Sequence, residues 1–227
     1  VKIAEIFYSI QGEGMLVGTP SVFIRASGCN LRCVWCDTPY ASWEPEGEDL
    51  ALEEILARVA RFQPHYVVLT GGEPMIAPDI VPLTEALRQM RLHITVETAG
   101  TVYLPVECHL MSISPKTSNS IPFEREGGRW VAMHDRSRIR LDVLKRLIDN
   151  YEYQLKFVVA EEEDLIEIND LVRRLRANPQ RVLLMPEGTD PEVLRERAQW
   201  LVELCKQQGY RYSPRLHIEL WGNRRGV

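Results

Sequence analysis

No apolar run in the 227-residue chain approaches the roughly 18 residues that a membrane-spanning helix needs, so no membrane partner is expected. No secretory signal opens it. Cysteine is scarce and odd in number, at five. Without a signal, that excludes an oxidised disulfide framework and points to a reducing, cytoplasmic setting. An excess of basic residues is also lacking: 27 Lys and Arg stand against 32 Asp and Glu, for a net charge of −5. Nucleic-acid affinity rests on cations that neutralise phosphates, so no nucleic-acid partner is expected. His65, His93, His109 and His134 show no metal-ligand spacing, and there is no internal repeat or low-complexity tract.

What is present is an alternation of strands and helices. Ile3 to Ile10 and Ser21 to Ala26 read as strands around the loop Gln11-Gly12-Glu13-Gly14. Leu52, Ile55, Leu56 and Val59, and then Ile80, Leu83, Leu87 and Met90, fall at helical spacing. Tyr66 to Thr70, Leu92 to Val96, Leu110 to Ser114, Leu155 to Val159 and Val182 to Met185 read as strands. Helices are expected through Leu141–Ile148 and Leu165–Leu175. Asp190-Pro191 opens a last helix that Gly209 ends, and Leu216 to Leu220 reads as a terminal strand. Thr117 to Ser137 is polar and weakly patterned, and is expected to be a loop with a small hairpin. This spacing predicts an α/β fold with a mainly parallel sheet. The helices are too few for an eightfold barrel, so a partial, open βα barrel is expected, with ligands at the carboxyl ends of the strands.

The densest chemistry is Cys29-Asn30-Leu31-Arg32-Cys33-Val34-Trp35-Cys36, a C-x3-C-x2-C spacing with no further cysteine until Cys108. Iron–sulfur clusters commonly take four thiolates, so three on one loop leave an iron open for another ligand. A closed zinc site needs four donors. His65 and Cys108 are the nearest later candidates, so a zinc-bound structural module stays open at this point. Thr70-Gly71-Gly72-Glu73-Pro74 follows a strand. Its glycines allow backbone to approach a ligand closely, although alone it could be only a turn. Ser114-Pro115-Lys116 and Glu97-Thr98-Ala99-Gly100 end two other strands. Glu97 is a ligand candidate or a tie to a neighbouring loop. Gln11 and Glu13 between glycines can read the donors and acceptors of a heterocycle, and Arg25 offers a fork for a carboxylate. The bland reading makes these a hairpin turn and a surface arginine.

The cysteine spacing and the Gly-Gly-Glu-Pro segment resemble the radical S-adenosylmethionine (radical SAM) superfamily. That resemblance implies a 4Fe–4S cluster on Cys29, Cys33 and Cys36, whose open iron chelates S-adenosylmethionine and generates an adenosyl radical. It implies that Trp35 packs near the adenine and that Gly71, Gly72 and Glu73 hold the methionine amino group. Ser114, Lys116 and Glu97 would complete the cofactor site.

A closer resemblance runs from end to end of the chain. Phe7-Tyr8-Ser9-Ile10-Gln11-Gly12-Glu13-Gly14, Phe23-Ile24-Arg25, Cys36-Asp37-Thr38, the three strand-end motifs and the tail from Leu216-His217 are similar to the 7-carboxy-7-deazaguanine synthase family of queuosine-precursor biosynthesis. The family implies one radical SAM domain over residues 1–227 and 6-carboxy-5,6,7,8-tetrahydropterin as substrate. Gln11, Gly12, Glu13, Gly14, Arg25, Thr70 and His217 would bind it. The implied course is hydrogen abstraction at C6, ring contraction and loss of ammonia, with S-adenosylmethionine regenerated. Mg2+ on Thr38, a homodimer, and an external reductant such as flavodoxin or ferredoxin complete the expectation. The tail after His217 is longer than in some members, so Val227 is not expected to close the site as their termini do; the tail is expected either to pack on a partner subunit or to cover the pocket. An activase acting on a partner protein's glycine would share the cysteine loop, but the Gln11–Gly14 loop with Arg25 suits a small carboxylated heterocycle better. Cys108 and Cys205 read as buried core residues.

Overall fold

A computed structural model describes all residues from 1 to 227. Nine strands form one sheet: β1 (Lys2–Ile10), β2 (Pro20–Ala26), β3 (Glu48–Asp49), β4 (Tyr66–Gly71), β5 (His93–Thr98), β6 (Leu110–Ile113), β7 (Tyr153–Val159), β8 (Val182–Pro186) and β9 (Arg211–Tyr212). Their order is β3-β1-β2-β4-β5-β6-β7-β8-β9. β1 pairs antiparallel with β2 and β3, and every pair from β2–β4 onward is parallel. β3 and β9 end the order without meeting, so the barrel is open, as expected.

The helices are α1 (Pro39–Ser42), α2 (Leu52–Ala60), α3 (Ile80–Gln89), α4 (Val131–Arg138), α5 (Leu141–Asn150), α6 (Asp164–Leu175), α7 (Pro191–Gln208) and α8 (Leu216–Trp221). The period-2 alternation of strands divides the sheet into two faces. Ile24, Leu69, Val96, Ile113, Leu155, Phe157 and Leu184 join the main core with Leu83, Leu87, Leu144, Leu147 and Ile168 of the helices. Each such burial contributes about 1.5–3 kcal/mol. The alternate positions (Arg25, Thr70, Glu97, Ser112, Lys156 and Met185) line the cavities described below. One face of the sheet therefore stabilises the fold, and the other is free for chemistry.

The Asp190 cap holds as read: its carboxylate accepts from Glu192 N at 2.7 Å, and Gly209 ends α7 at φ 69°. Three expectations fail. Leu216–Leu220 is the helix α8, not a strand. β9 has already taken the sheet edge, Pro214 has no N–H to extend it, and Leu216 N instead donates to Gly12 O at 2.9 Å. Residues 117–137 hold 3-10 turns at Ser118–Ser120 and Arg125–Gly128 followed by α4, with no hairpin. α4 escapes the pattern because its one buried residue is polar, His134. Cys205 is buried as expected, whereas Cys108 is only partly so.

Candidate active site

The loop from Cys29 to Cys36 leaves the carboxyl end of β2 and is pinned on all sides. Gly28 N donates to Ala41 O, and Glu73 N donates to Gly28 O. Trp43 Nε1 donates to Cys33 O at 3.0 Å. Gly72 lies where a Cβ would come within 2.1 Å of Gly28 O and 2.4 Å of Ala41 O. Gly71, at φ 137°, would strike Ala26 O, so the glycine pair is what lets β4 and the loop touch. A Gly72→Ala protein is therefore expected to melt several degrees lower and to retain less than about half the iron of the parent after reconstitution. Parallel thermal melts and iron assays check this.

His134 is the hidden support of the loop. It is fully buried; its Nδ1 accepts from Arg32 N at 3.0 Å, and its Nε2 lies 2.9 Å from Ser120 Oγ. Ser120 Oγ donates onward to Thr117 O. Nδ1 must be unprotonated, and burial pushes the imidazole pKa down to about 4. The unfolded chain then binds more protons between about pH 6.5 and 4. Stability is full above that window and falls as pH drops through it. His134→Gln is expected to flatten this part of the melting-temperature profile.

All three loop thiols line one cavity. Burial, and next the nearby Glu73 carboxylate, push the Cys29 thiol up to about 12, and burial raises Cys33 as well. A bound cation would be needed to hold them as thiolates. No three Cys, His, Asp or Glu side chains converge tightly enough to hold a single ion, which counts against a closed zinc centre. Three soft sulfurs lining one cavity fit a cluster in which each would take its own iron. Trp35, Gly71, Gly72, Glu97, Ser114 and Lys116 line the same cavity. Lys116 Nζ donates to Ser114 O and Oγ, each at 2.8 Å.

A second cavity adjoins it, lined by Phe7, Gln11, Gly12, Arg25, Tyr40 and His217, with the tail from Asn223 to Val227. The tail thus lines the pocket, one of the two placements expected for it, and Val227 is among the lining residues. The two cavities share Glu13, Asp37, Thr38, Thr70, Gly71 and Glu97. Glu97 is both lining and tie: its carboxylate accepts from Gln11 Nε2 at 3.0 Å and Thr70 Oγ1 at 2.8 Å. Arg25 donates from Nε to Glu5 at 2.6 Å.

Two expected residues lie elsewhere. Glu73 is fully buried and lines neither cavity. Its oxygens accept from Met75 N, Thr98 Oγ1 and Ala99 N, so it ties the Gly-Gly turn to β5. Gly14 supports the loop from behind, donating to Ser213 Oγ at 2.8 Å. Gly12 is required by packing, because a Cβ there would overlap His217 Nδ1.

The residues that sequence reading missed are the cations beside Glu13. Lys156 pairs with Glu13 Oε2. Arg215 donates from Nε to Glu13 Oε1 at 3.1 Å and from Nη2 to Asp37. Burial alone would raise the Glu13 pKa, but Lys156, Arg215 and His217 outweigh it and hold the carboxyl well below its usual range. Burial opposes the charge on Lys156 and Arg215 too, and their carboxylate partners more than restore it. One signal was readable. Central parallel strands are near-continuously apolar, so Gln154 and Lys156 within β7 mark a face aimed at something polar.

A sequence model of the Radical SAM superfamily matches residues 23–151. The chain is 48% identical to the 7-carboxy-7-deazaguanine synthase of Rhodopirellula baltica, covering 99% of this chain and 88% of that one. It is 44% identical to the 7-carboxy-7-deazaguanine synthase of Halobacterium salinarum, covering 98% and 91%. Among solved structures, QueE from Escherichia coli superposes with a TM-score of 0.70 at 26% identity, covering 95% of this chain and 94% of that one. Streptococcus suis SuiB bound to S-adenosylmethionine shares the fold, with a TM-score of 0.58 at 17% identity over 86% of this chain and 50% of that one.

Proposed function

The chain belongs to the radical SAM superfamily and, within it, to the 7-carboxy-7-deazaguanine synthases, and from that membership we propose that its joined cavities convert 6-carboxy-5,6,7,8-tetrahydropterin to 7-carboxy-7-deazaguanine. The observation that carries this is the shared wall. A compartment beside three cysteines shares Thr70, Gly71 and Glu97 with a compartment lined by Gln11, Arg25 and His217.

Bound together, the cluster and S-adenosylmethionine supply hydrogen-atom abstraction. Cys29, Cys33 and Cys36 would hold the cluster, and Trp35, Gly71, Gly72, Ser114 and Lys116, which line the same cavity, would hold the cofactor. Glu13, kept ionised by its two cations, accepts from adjacent N–H donors of the pterin ring. Gln11 and Thr70, held rigid by Glu97, fix the ring's register, so no orientation entropy is lost at the reacting step. Arg25 spends Nε on Glu5 and keeps its terminal nitrogens for the substrate carboxylate. Thr38 borders both cavities and would offer a hard oxygen to Mg2+. The tail excludes water: Arg225 stacks over Tyr40 at 4.1 Å and donates to Ala4 O and Glu46.

Calorimetry of the reconstituted protein with S-adenosylmethionine and 6-carboxytetrahydropterin tests the substrate assignment. Arg25→Met is expected to weaken binding by about 10- to 100-fold, the equivalent of one charged hydrogen-bonded contact. Equal binding by parent and variant would remove Arg25 from the site. An absence of heat in the parent would favour the activase reading.

A further inference from the structure

Arg215 touches three loops at once. The residue is only 6% exposed, and each guanidinium nitrogen donates within the protein. Nε reaches Glu13 Oε1 at 3.1 Å, Nη1 reaches Gly188 O at 2.6 Å, and Nη2 reaches Asp37 Oδ2. Glu13 lies in the loop after β1, Asp37 directly after Cys36 in the loop after β2, and Gly188 just past β8. The chain around Arg215 grips the first of these loops as well: Gly14 N donates to Ser213 Oγ, and Leu216 N donates to Gly12 O. Glu13 and Asp37 both stand where the two cavities meet. Lys156 already pairs with the other Glu13 oxygen, and an arginine serving Asp37 alone has no need to span both carboxylates.

We propose that Arg215 is a positioning residue that fixes the pterin-binding loop against the cysteine loop, and so sets the distance between the radical source and the substrate hydrogen. The inference rests on the function proposed above. With all three nitrogens spent on protein, Arg215 acts on the pterin through Glu13 and on the cluster side through Asp37, one peptide from Cys36. Reaction needs the reacting atoms about 3–3.5 Å apart, and a misplacement of about 1 Å costs about 10²-fold. Buried ion pairs add little net stability over well-packed apolar side chains, so stability alone gives no reason to build one here. Arginine's planar fork holds two carboxylates and a carbonyl in fixed directions, whereas lysine is a point charge on a flexible stem. A slack bridge leaves the adenosyl radical out of reach of the pterin hydrogen. It then takes a hydrogen atom from a thiol reductant in the medium, giving 5′-deoxyadenosine and a thiyl radical without ring contraction.

The test compares the reconstituted parent with Arg215→Lys, Asp37→Ala and the double variant, in the presence of a thiol reductant. Mass spectrometry reads 5′-deoxyadenosine and 7-carboxy-7-deazaguanine from the same reactions. Each single variant is expected to raise the ratio of 5′-deoxyadenosine to deazapurine at least about tenfold. The double variant should raise it no further than the larger single effect, because both changes cut one bridge. Hydrogen exchange on the cluster-free protein gives a readout apart from activity: Arg215→Lys should quicken exchange in both residues 11–14 and residues 36–38. A parent-like ratio in Arg215→Lys overturns the proposal, and so do effects that multiply in the double variant or exchange that quickens in only one loop. Where Arg215→Lys fails to fold, Asp37→Ala, altered at a side chain 36% exposed, decides by the same ratio. Excess Mg2+ that restores Asp37→Ala but not Arg215→Lys would assign Asp37 to the cation and overturn the bridge. A parent that makes 5′-deoxyadenosine and no deazapurine overturns the substrate assignment and the proposal with it; a coupled parent with equally coupled variants overturns the proposal alone.

Discussion

A Cys33→Ala protein, reconstituted anaerobically with iron and sulfide, is expected to lose turnover by more than about 10³-fold. Changes outside the ligand shell of a metal site already cost about 10- to 100-fold, so loss of a ligand must exceed that. No other thiol can substitute: Cys108 and Cys205 line neither cavity. Cys205→Ala, made in a buried but remote position, is the matched control and should keep both its iron and its activity. Iron per chain and product formation, measured on the same preparations, check the pair. Parent-like turnover in Cys33→Ala would mean that the loop is not the cluster site.

Lys156→Met is expected to have the next largest effect. It strands Glu13 in a buried site with Arg215 as its remaining close cation, and breaking a buried ion pair by removing one partner costs about 3–5 kcal/mol. That cost divides between folding and substrate binding, and the two are separable. Glu13→Gln/Lys156→Met removes the stranded charge, so it should recover the melting temperature and leave kcat/KM about 10²-fold or more below the parent. The pH profile gives a second check. The Glu13 pKa is held low, so its contribution is complete above the unfolded carboxyl value and is lost as pH falls through the folded one. Without Lys156 the folded value rises, and the acid limb of the stability curve moves to higher pH. A single variant with parent-like kcat/KM would reduce Lys156 to a structural residue.

Much of this was legible in the sequence because the signals were local. Three thiols in one octapeptide, Gly71-Gly72 after a β-branched run, and Asp190 with Gly209 around α7 each act through neighbours in the chain. What escaped depends on long-range pairing. Glu13 meets Lys156 across 143 residues and Arg215 across 202, and His134 meets Arg32 across 102. Nothing near those residues announces a partner. Glu73 misled for the converse reason: its place in the motif suggested a free acceptor, whereas burial had already committed both oxygens. α8 failed because its alternating Leu216, Ile218 and Leu220 imitates the strand period, and only the occupied sheet edge decides.

The central claim is that the two joined cavities bring a radical-generating cofactor to a reduced pterin. The direct measurement is an anaerobic assay of the reconstituted protein with S-adenosylmethionine, Mg2+, dithionite and 6-carboxytetrahydropterin, read by mass spectrometry. The account predicts 7-carboxy-7-deazaguanine from the parent and none from Cys33→Ala. Formation of 5′-deoxyadenosine without the deazapurine would contradict the substrate assignment, and a reconstituted parent that holds no iron would contradict the account at its base.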